Sequence, residues 1–149
     1  MNEVKIRTMT LADYDDVYAL WLSCKGMGLN NLDESKDGIA RFLERNPETC
    51  FVALDGEKLI GVIMAGHDGR RGYIYHTAVA PEHRRRGIAK QLVEASLNAL
   101  KSFGISKVAL LVFERNKEGN EFWEKLGFFT RDDVVYRNKE LADIIRIDT

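Results

Sequence analysis

A run of arginines followed by a glycine stands where a strand-like segment gives way to a helical pattern. The residues of this run are Arg84, Arg85, Arg86, Gly87, Ile88 and Ala89. The first amides of a helix have no acceptor within the helix and carry a partial positive charge, so they can hold an anion. Gly87 has no side chain to obstruct a phosphate, and that of Ala89 is small. The segment predicts a phosphate-binding loop, although it lacks the Gly-x4-Gly-Lys-(Ser/Thr) pattern of nucleotide-binding P-loops.

The same residues resemble the (Gln/Arg)-x-x-Gly-x-(Gly/Ala) signature of the GCN5-related N-acetyltransferases, the GNAT superfamily. Two flanking stretches extend the resemblance: AVAP at residues 78–81, and Asn116 followed by FWEKLGF at residues 122–128. The similarity covers most of the chain, thinly before residue 50 and well from residue 51 to residue 128. It implies an enzyme that uses acetyl-coenzyme A as co-substrate and transfers the acetyl group to a primary amine by direct attack.

The resemblance also assigns cofactor-binding residues. In the family the loop binds the pyrophosphate, the strand before it and the strand after the helix splay apart, and pantetheine lies in the gap. The main chain of Ala78 and Val79 would pair with pantetheine, as in the addition of an extended ligand to a strand edge. Asn116 matches the family asparagine that hydrogen-bonds the cofactor, although asparagine also suits a helix N-cap. Trp123 would pack against the sulfur end of the cofactor.

Trp123 departs from the family pattern, in which a tyrosine at this position is the usual general acid. An indole N–H donates hydrogen bonds but does not give up its proton. Another group must then supply the proton, or the thiolate leaves unassisted. The departure keeps a second hypothesis open, a regulatory module that binds coenzyme A or acyl-coenzyme A with weak or no catalysis.

The general base is not fixed by the sequence. Several family members have a glutamate where Tyr73 stands, so the candidates are Tyr73 or Tyr75 acting through water, with His76 third. His76 titrates in the right range, although a lone histidine in a strand is more often a packed residue. In a regular strand the two tyrosines share a face with Thr77 and His76 points the other way, and a β-bulge would change this.

The acceptor pocket of the family is lined by a helix–loop–helix region near the N-terminus. Its candidate substrate-binding residues here are Trp21, Met27, Leu29 and Asn30. An ordinary surface loop explains these residues equally well. The acceptor stays open between a small molecule and a protein: an N-terminus, a lysine, a polyamine, an antibiotic or a small amino acid.

The composition of the chain argues against several other classes of protein. The chain has 149 residues, 45% of them hydrophobic, which fits a single domain over 1–149. Its net charge of −1 argues against nucleic acid as a partner, although the arginine run raises RNA binding as a third hypothesis. Cys24 and Cys50 are too few for a zinc site, so no metal is expected, and they favour a reduced, cytoplasmic setting. No apolar run approaches the ~20 residues of a membrane span, and residues 1–5 do not resemble a secretion signal.

The elements that must position these residues follow from periodicity. Alternating or apolar runs predict strands at residues 4–8, 50–55, 59–65, 73–79 and 107–112, with a last pair at 128–129 and 134–137. Helices are predicted after Thr10 and at 35–45, 88–103 and 118–126. The predicted fold class is α+β: a GNAT-like mixed, mostly antiparallel sheet of about seven strands with helices on both faces. Family members often form homodimers, and the role of residues 138–149 stays open.

Overall fold

The computed structural model describes residues 3–147 of the chain. Within that range it has five strands: β1 (Val4–Thr8), β2 (Phe51–Asp55), β3 (Lys58–His67), β4 (Gly72–Val79) and β5 (Val108–Leu110). Its α-helices are α1 (Tyr14–Ser23), α2 (Lys36–Arg45), α3 (Ile88–Ser102) and α4 (Lys117–Lys125).

The strands form one mixed sheet in the order β1-β2-β3-β4-β5. Neighbours from β1 to β4 are antiparallel, whereas β5 pairs with β4 in parallel because α3 crosses over between them. The β2–β3 hairpin turns at Gly56 and Glu57, between the paired Asp55 and Lys58, and Gly56 has the positive φ of 64° that such a tight turn favours. The predicted α+β class with a mixed, mostly antiparallel sheet is confirmed.

Helices cover both faces of the sheet. Gly61 and Gly66 are five residues apart on β3, so they face opposite sides. A Cβ at Gly61 would lie 3.1 Å from Leu92 of α3, and a Cβ at Gly66 would lie 2.8 Å from Phe42 of α2. Both distances are too short for an ordinary side-chain contact. Glycine at these two positions therefore lets one helix approach the sheet closely on each side.

The start of α1 is tied to the edge strand β1 by an ion pair. Thr10 N–H donates to Asp13 Oδ2 at 2.9 Å, and the Arg7 guanidinium donates to both oxygens of Asp13 at 2.9 and 2.8 Å. These bonds, those from Arg7 above all, lower the pKa of the Asp13 carboxyl from its ordinary value. The ionised form of Asp13 is therefore part of the folded state.

Phe128 completes the end of α4 instead of starting the predicted last pair of strands. Phe128 N–H donates to Trp123 O and Gly127 N–H donates to Glu124 O, both at 3.0 Å. Gly127 has a φ of 93°, as expected at this position of a Schellman motif. The ring of Phe128 packs on that of Trp123 with centroids 5.2 Å apart. Phe128 is thus fixed to the helix.

The prediction of about seven strands is wrong, because residues 128–137 form no strand. Val134, Val135 and Tyr136 are exposed, at 57%, 74% and 64%. The sheet edge next to them, β5, has only three residues, which is too short to pair with a further hairpin. Strand propensity without a partner strand does not make a sheet. The sheet therefore ends at β5.

Residues 145–147, here called the C-terminal strap, run antiparallel to residues 29–31 of the loop between α1 and α2. Asn31 N–H donates to Ile145 O at 3.0 Å, and Ile145 N–H donates to Asn31 Oδ1 at 2.7 Å. The part of the C-terminal segment that the structure describes thus restrains the loop between α1 and α2. Positions 148 and 149 lie outside the described residues.

Candidate cofactor groove and acceptor site

The loop between β4 and α3 presents unpaired main-chain amides. Arg85 and Gly87 have left-handed backbone conformations, with φ of 64° and 76°, and such residues can turn successive N–H groups toward one anion. Gln91 N–H donates to Gly87 O at 3.1 Å, whereas the amides of residues 87–90 have no acceptor within residues 3–147. No side chain of this part of the chain caps the helix. A Cβ at Gly87 would meet no atom within 4 Å. These amides are therefore available to a ligand.

The three arginines of the loop take different positions. Arg84 turns back toward β4, where its Nε donates to Val79 O at 3.1 Å and its Nη2 lies 3.5 Å from Cys24 Sγ. Arg85 and Arg86 are exposed. Arg84 thus fixes the loop to the end of β4, while Arg85 and Arg86 add positive charge to the exposed surface of the loop.

A groove opens where β4 and β5 separate. The two strands pair only over Gly72 to Ile74 of β4, opposite Val108 to Leu110 of β5. Beyond this point the main chain of residues 75–79 has no strand partner on that side among the described residues. The groove has a volume of about 1070 Å³ and includes Ala78, Val79 and Ala89 in its lining. The splayed pair of strands that the resemblance implied is present.

The far wall of the groove is built by α4 and the segment before it. Asn116 lines the groove and caps α4, its Oδ1 accepting from Gly119 N–H at 2.9 Å. The cap uses the amide oxygen of Asn116 and leaves Nδ2 to a ligand. Trp123 also lines the groove and packs against Phe122, with ring centroids 5.0 Å apart. This wall offers one amide donor and an aromatic surface.

A β-bulge in β4 determines how the side chains of Tyr75 and His76 pack. One residue of β3, Met64, lies opposite these two residues of β4. Both side chains pack against helices, each against a different one. Tyr75 contacts Phe42 of α2 with ring centroids 5.4 Å apart, and His76 contacts Trp21 of α1 at 5.0 Å. The bulge thus breaks the alternation of a regular strand and places His76 in the groove lining.

The tyrosines of β4 keep their protons at neutral pH. The rings of Tyr73 and Tyr75 stack with centroids 4.5 Å apart. Burial, helped by the neighbouring Tyr136 and Tyr75 hydroxyls, raises the pKa of Tyr73 to about 12. Burial also raises the pKa of Tyr75. Because a general base needs its deprotonated form, both hydroxyls are better hydrogen-bond donors than proton acceptors.

Glu34 belongs to the site although the sequence does not indicate it. It lies in the loop before α2, with a side chain that is 9% exposed, and its Oε2 is 3.1 Å from His76 Nε2. Asn30 N–H donates to Oε1 of the same carboxylate at 2.6 Å. Glu34 and His76 are 42 positions apart, so no local pattern reveals the pair.

The four residues predicted to bind the acceptor substrate lie in different surroundings. Met27 lines the groove, and Asn30 holds the Glu34 carboxylate through its main chain. Trp21 and Leu29 are 0% and 1% exposed. Their side chains pack in the core and do not line the groove, because apolar bulk at these positions is needed between the helices and the sheet. In this structure Trp21 and Leu29 are therefore core residues, and their predicted contact with an acceptor stays a prediction.

The described residues give little support for a cysteine nucleophile at Cys50, a metal site or a membrane-spanning helix. Burial raises the pKa of the Cys50 thiol to about 12, which disfavours a thiolate nucleophile there. Between residues 3 and 147 there is no group of three or more His, Cys, Asp or Glu side chains that could hold a metal ion. Of the helices in this range, none is both long enough and apolar enough to cross a membrane.

Solved structures with a similar fold are N-acetyltransferases and related proteins. PaiA N-acetyltransferase from Thermoplasma acidophilum, in complex with coenzyme A, matches with a TM-score of 0.77 at 19% identity, over 97% of each chain. AAC(6')-Iy, in complex with the bisubstrate analog CoA-S-monomethyl-acetylneamine, matches with a TM-score of 0.71 at 20% identity, over 93% of this chain and 99% of the other. The class that this architecture defines is the N-acetyltransferase fold.

Sequence comparison identifies the family. The model of the acetyltransferase (GNAT) family matches residues 14–128. An acetyltransferase from Yersinia enterocolitica is 30% identical over 140 residues, which cover 94% of this chain and 98% of the relative. One from Photorhabdus laumondii is 32% identical over 142 residues, with 94% and 98% covered. The chain belongs to the GNAT family of acetyltransferases.

Proposed function

We propose that this protein transfers the acetyl group of acetyl-coenzyme A to a primary amine by direct attack. The observation that carries the proposal is the set of unpaired amides at residues 87–90, beside the exposed Arg85 and Arg86. Main-chain donors at a helix start together with guanidinium groups suit a diphosphate. Coenzyme A in PaiA, and its analog in AAC(6')-Iy, support the same ligand here.

The rest of the groove suits an extended chain ending in a thioester. The unpaired edge of residues 75–79 offers main-chain donors and acceptors to the amides of pantetheine. Thr77 Oγ1 is buried without a hydrogen-bond partner among the described residues, and a polar group of the ligand would satisfy it. Acetyl-coenzyme A supplies an activated acyl group. Main-chain N–H groups of β4 near the bulge would stabilise negative charge on the carbonyl oxygen, worth about 3–4 kcal/mol per donor.

The reaction requires the acceptor amine to lose a proton and the departing thiolate to gain one, and few groups of this chain can take part in these transfers. The acceptor amine is largely protonated at neutral pH and must lose a proton before it can attack. Trp123 stands where a general acid is usual in the family but does not give up a proton. Departure of the thiolate therefore does not depend on position 123.

Calorimetry and a thiol-release assay test the proposal. We expect acetyl-coenzyme A and coenzyme A to bind, and free thiol to appear only when an amine is present. The amine panel is a peptide with an N-terminal alanine, free lysine, spermidine and neamine, which spans the protein and small-molecule acceptors left open. Absence of binding at millimolar acetyl-coenzyme A would refute the proposal.

A regulatory module that binds coenzyme A without catalysis is the second candidate. Trp123 in place of tyrosine favours it, because the module would not need a general acid. The same experiments separate the two. Tight binding of coenzyme A with no thiol release from any amine of the panel would support the module.

A further inference from the structure

We infer that Glu34 is a positioning residue that orients His76 to take a proton from the acceptor amine, an inference that rests on the proposed function. The contact that carries it joins Glu34 Oε2 to His76 Nε2 at 3.1 Å. The two side chains are 9% and 12% exposed, so water competes weakly for this hydrogen bond. An ionised carboxylate accepts and cannot donate, so His76 Nε2 carries the hydrogen.

The second ring nitrogen of His76 is then the free proton acceptor. A neutral imidazole with hydrogen on Nε2 has its lone pair on Nδ1. Nδ1 of His76 has no hydrogen-bond partner among residues 3–147. It is also not among the side-chain polar atoms that are both fully buried and without a partner. It therefore reaches solvent, and His76 lines the groove. The inference requires this lone pair to face the amine, and His76 is one of the residues that line the groove in which the thioester would lie.

The carboxylate and the imidazole are both held by other groups. Asn30 N–H donates to Glu34 Oε1 at 2.6 Å, and the Tyr14 hydroxyl donates to the main-chain oxygen of Glu34 at 2.6 Å. Trp21 packs edge-on against the imidazole of His76, with centroids 5.0 Å apart. This double support fixes the ring before an acceptor arrives, which is what a base and its orienting carboxylate require.

The proton transfers balance without any further reactant. His76 Nδ1 takes one proton from the ammonium form of the acceptor, which leaves a neutral amine and an imidazolium that the Glu34 carboxylate stabilises. The amine nitrogen bonds to the acetyl carbon, the carbon–sulfur bond breaks and sulfur keeps the electron pair. The extra proton on the new amide nitrogen passes to the thiolate, and the imidazolium returns its proton to solvent. The products are one amide, one thiol and one proton.

Two tyrosines lie close to the pair: the Tyr14 hydroxyl bonds to the main chain of Glu34, and Tyr75 precedes His76 on β4. Burial raises the pKa of both, and Asp33 adds to the increase at Tyr75. Among the described residues, Glu34 is the acidic side chain within 4 Å of the imidazole. A purely structural role, in which the pair only joins the loop to β4, predicts a loss of stability without a specific loss of proton transfer.

Nitrogen NMR of the histidine side chains tests the orientation without turnover. The chain has three histidines, and single substitutions of the other two assign His76. We expect neutral His76 to carry its hydrogen on Nε2, and we expect Glu34→Gln to lose this preference because a glutamine amide can also donate to Nε2. Hydrogen on Nδ1 in the wild-type protein overturns the inference, whether or not the protein acetylates amines.

Steady-state kinetics with the same amine panel tests the proton transfer. We expect kcat to fall by about 10²- to 10⁴-fold in His76→Ala and to recover in part with added imidazole, since a positioned base contributes that much. Glu34→Gln should lower kcat by at least about tenfold with an unchanged KM for acetyl-coenzyme A. His67→Ala is the matched control, because His67 stacks on Phe103 outside the groove and its loss should leave activity unaffected by imidazole.

The outcomes separate this inference from the proposed function. Wild-type kcat in both site variants, or no gain with imidazole in His76→Ala, overturns the inference while the protein remains an acetyltransferase. His76→Gln, which preserves most of the side-chain volume, gives the same comparison if His76→Ala does not fold. A wild-type protein that releases no thiol with any amine refutes the proposed function instead, and the NMR result still decides the orientation of His76.

Discussion

Replacing Gly87 by aspartate and by asparagine isolates the effect of one negative charge in the loop that we propose to bind the diphosphate. A Cβ at this position would meet no atom within 4 Å, so neither side chain collides with the protein. Gly87 has a φ of 76°, and Asn and Asp enter this left-handed region more readily than other residues with a side chain. The two variants therefore share the same backbone strain and nearly the same volume. They differ by one negative charge.

The expected difference in affinity follows from that charge. A unit charge about 5 Å from a phosphate repels it by about 1–3 kcal/mol when the effective dielectric constant lies between that of water and about 20, or roughly 5- to 150-fold in Kd. Gly87→Asp should bind coenzyme A more weakly than Gly87→Asn by this factor. Because the loop is exposed, added salt should reduce the difference.

Calorimetry of both variants at low and high ionic strength measures the effect. Pantetheine is the control ligand because it lacks the diphosphate, so its binding should not distinguish the two variants. Thermal unfolding should give the same midpoint for both. Equal affinities of the two variants for coenzyme A would refute the assignment of residues 87–90 to the diphosphate.

Three further perturbations test separate parts of the molecule. Asn116→Ala should lower the free energy of unfolding by about 1 kcal/mol through loss of the N-cap, whereas Asn116→Asp should keep the cap and weaken coenzyme A binding. Urea unfolding measures the stability of the two variants and calorimetry measures their affinity for coenzyme A. Equal effects on binding and stability in both variants would contradict a dual role of Asn116. Trp123→Phe should keep kcat within about threefold, because an indole is not a proton donor in catalysis, and a much larger loss in the thiol-release assay would count against this. Arg7 lowers the pKa of Asp13 from its ordinary value of 3.8, so this pair stabilises the fold above that pH and the contribution is lost as the pH falls through the lower folded value. Asp13→Asn should flatten the acid end of the urea-unfolding profile, and an unaltered profile would show that the pair contributes nothing.

The conformation of the loop that we propose to bind the diphosphate was predictable because its signals are local. A strand, a glycine with room for an anion and an amphipathic helix follow one another within about thirty residues, and each depends on short-range preferences. The turn between β2 and β3, signalled by Asp55 and Gly56, is of the same kind. The structure keeps all of these features, with Gly87 in the left-handed conformation that glycine favours.

The acceptor side was less predictable because it depends on contacts between distant residues. The bulge at Tyr75 and His76 arises from the register with β3, which strand propensity does not encode. Glu34 meets His76 at that bulge, across 42 positions of sequence. The predicted number of strands was wrong for a similar reason, since residues 134–136 have strand propensity but the free edge of the sheet at β5 is only three residues long.

The brief pairing of β4 with β5 has a consequence for the ligand-free protein. No described residue after Ile105 is buried, so β5 and α4 are attached to the body by three residue pairs, by half-buried side chains such as those of Leu110 and Phe122, and by the C-terminal strap. Coenzyme A in the groove would touch both walls, and at a hundred times its Kd it would stabilise the folded state by about 2.7 kcal/mol. We expect amide hydrogens of β5 and α4 to exchange well before those of α3 in the free protein. The coenzyme would then act as an interior part of a domain that is only fully assembled around it.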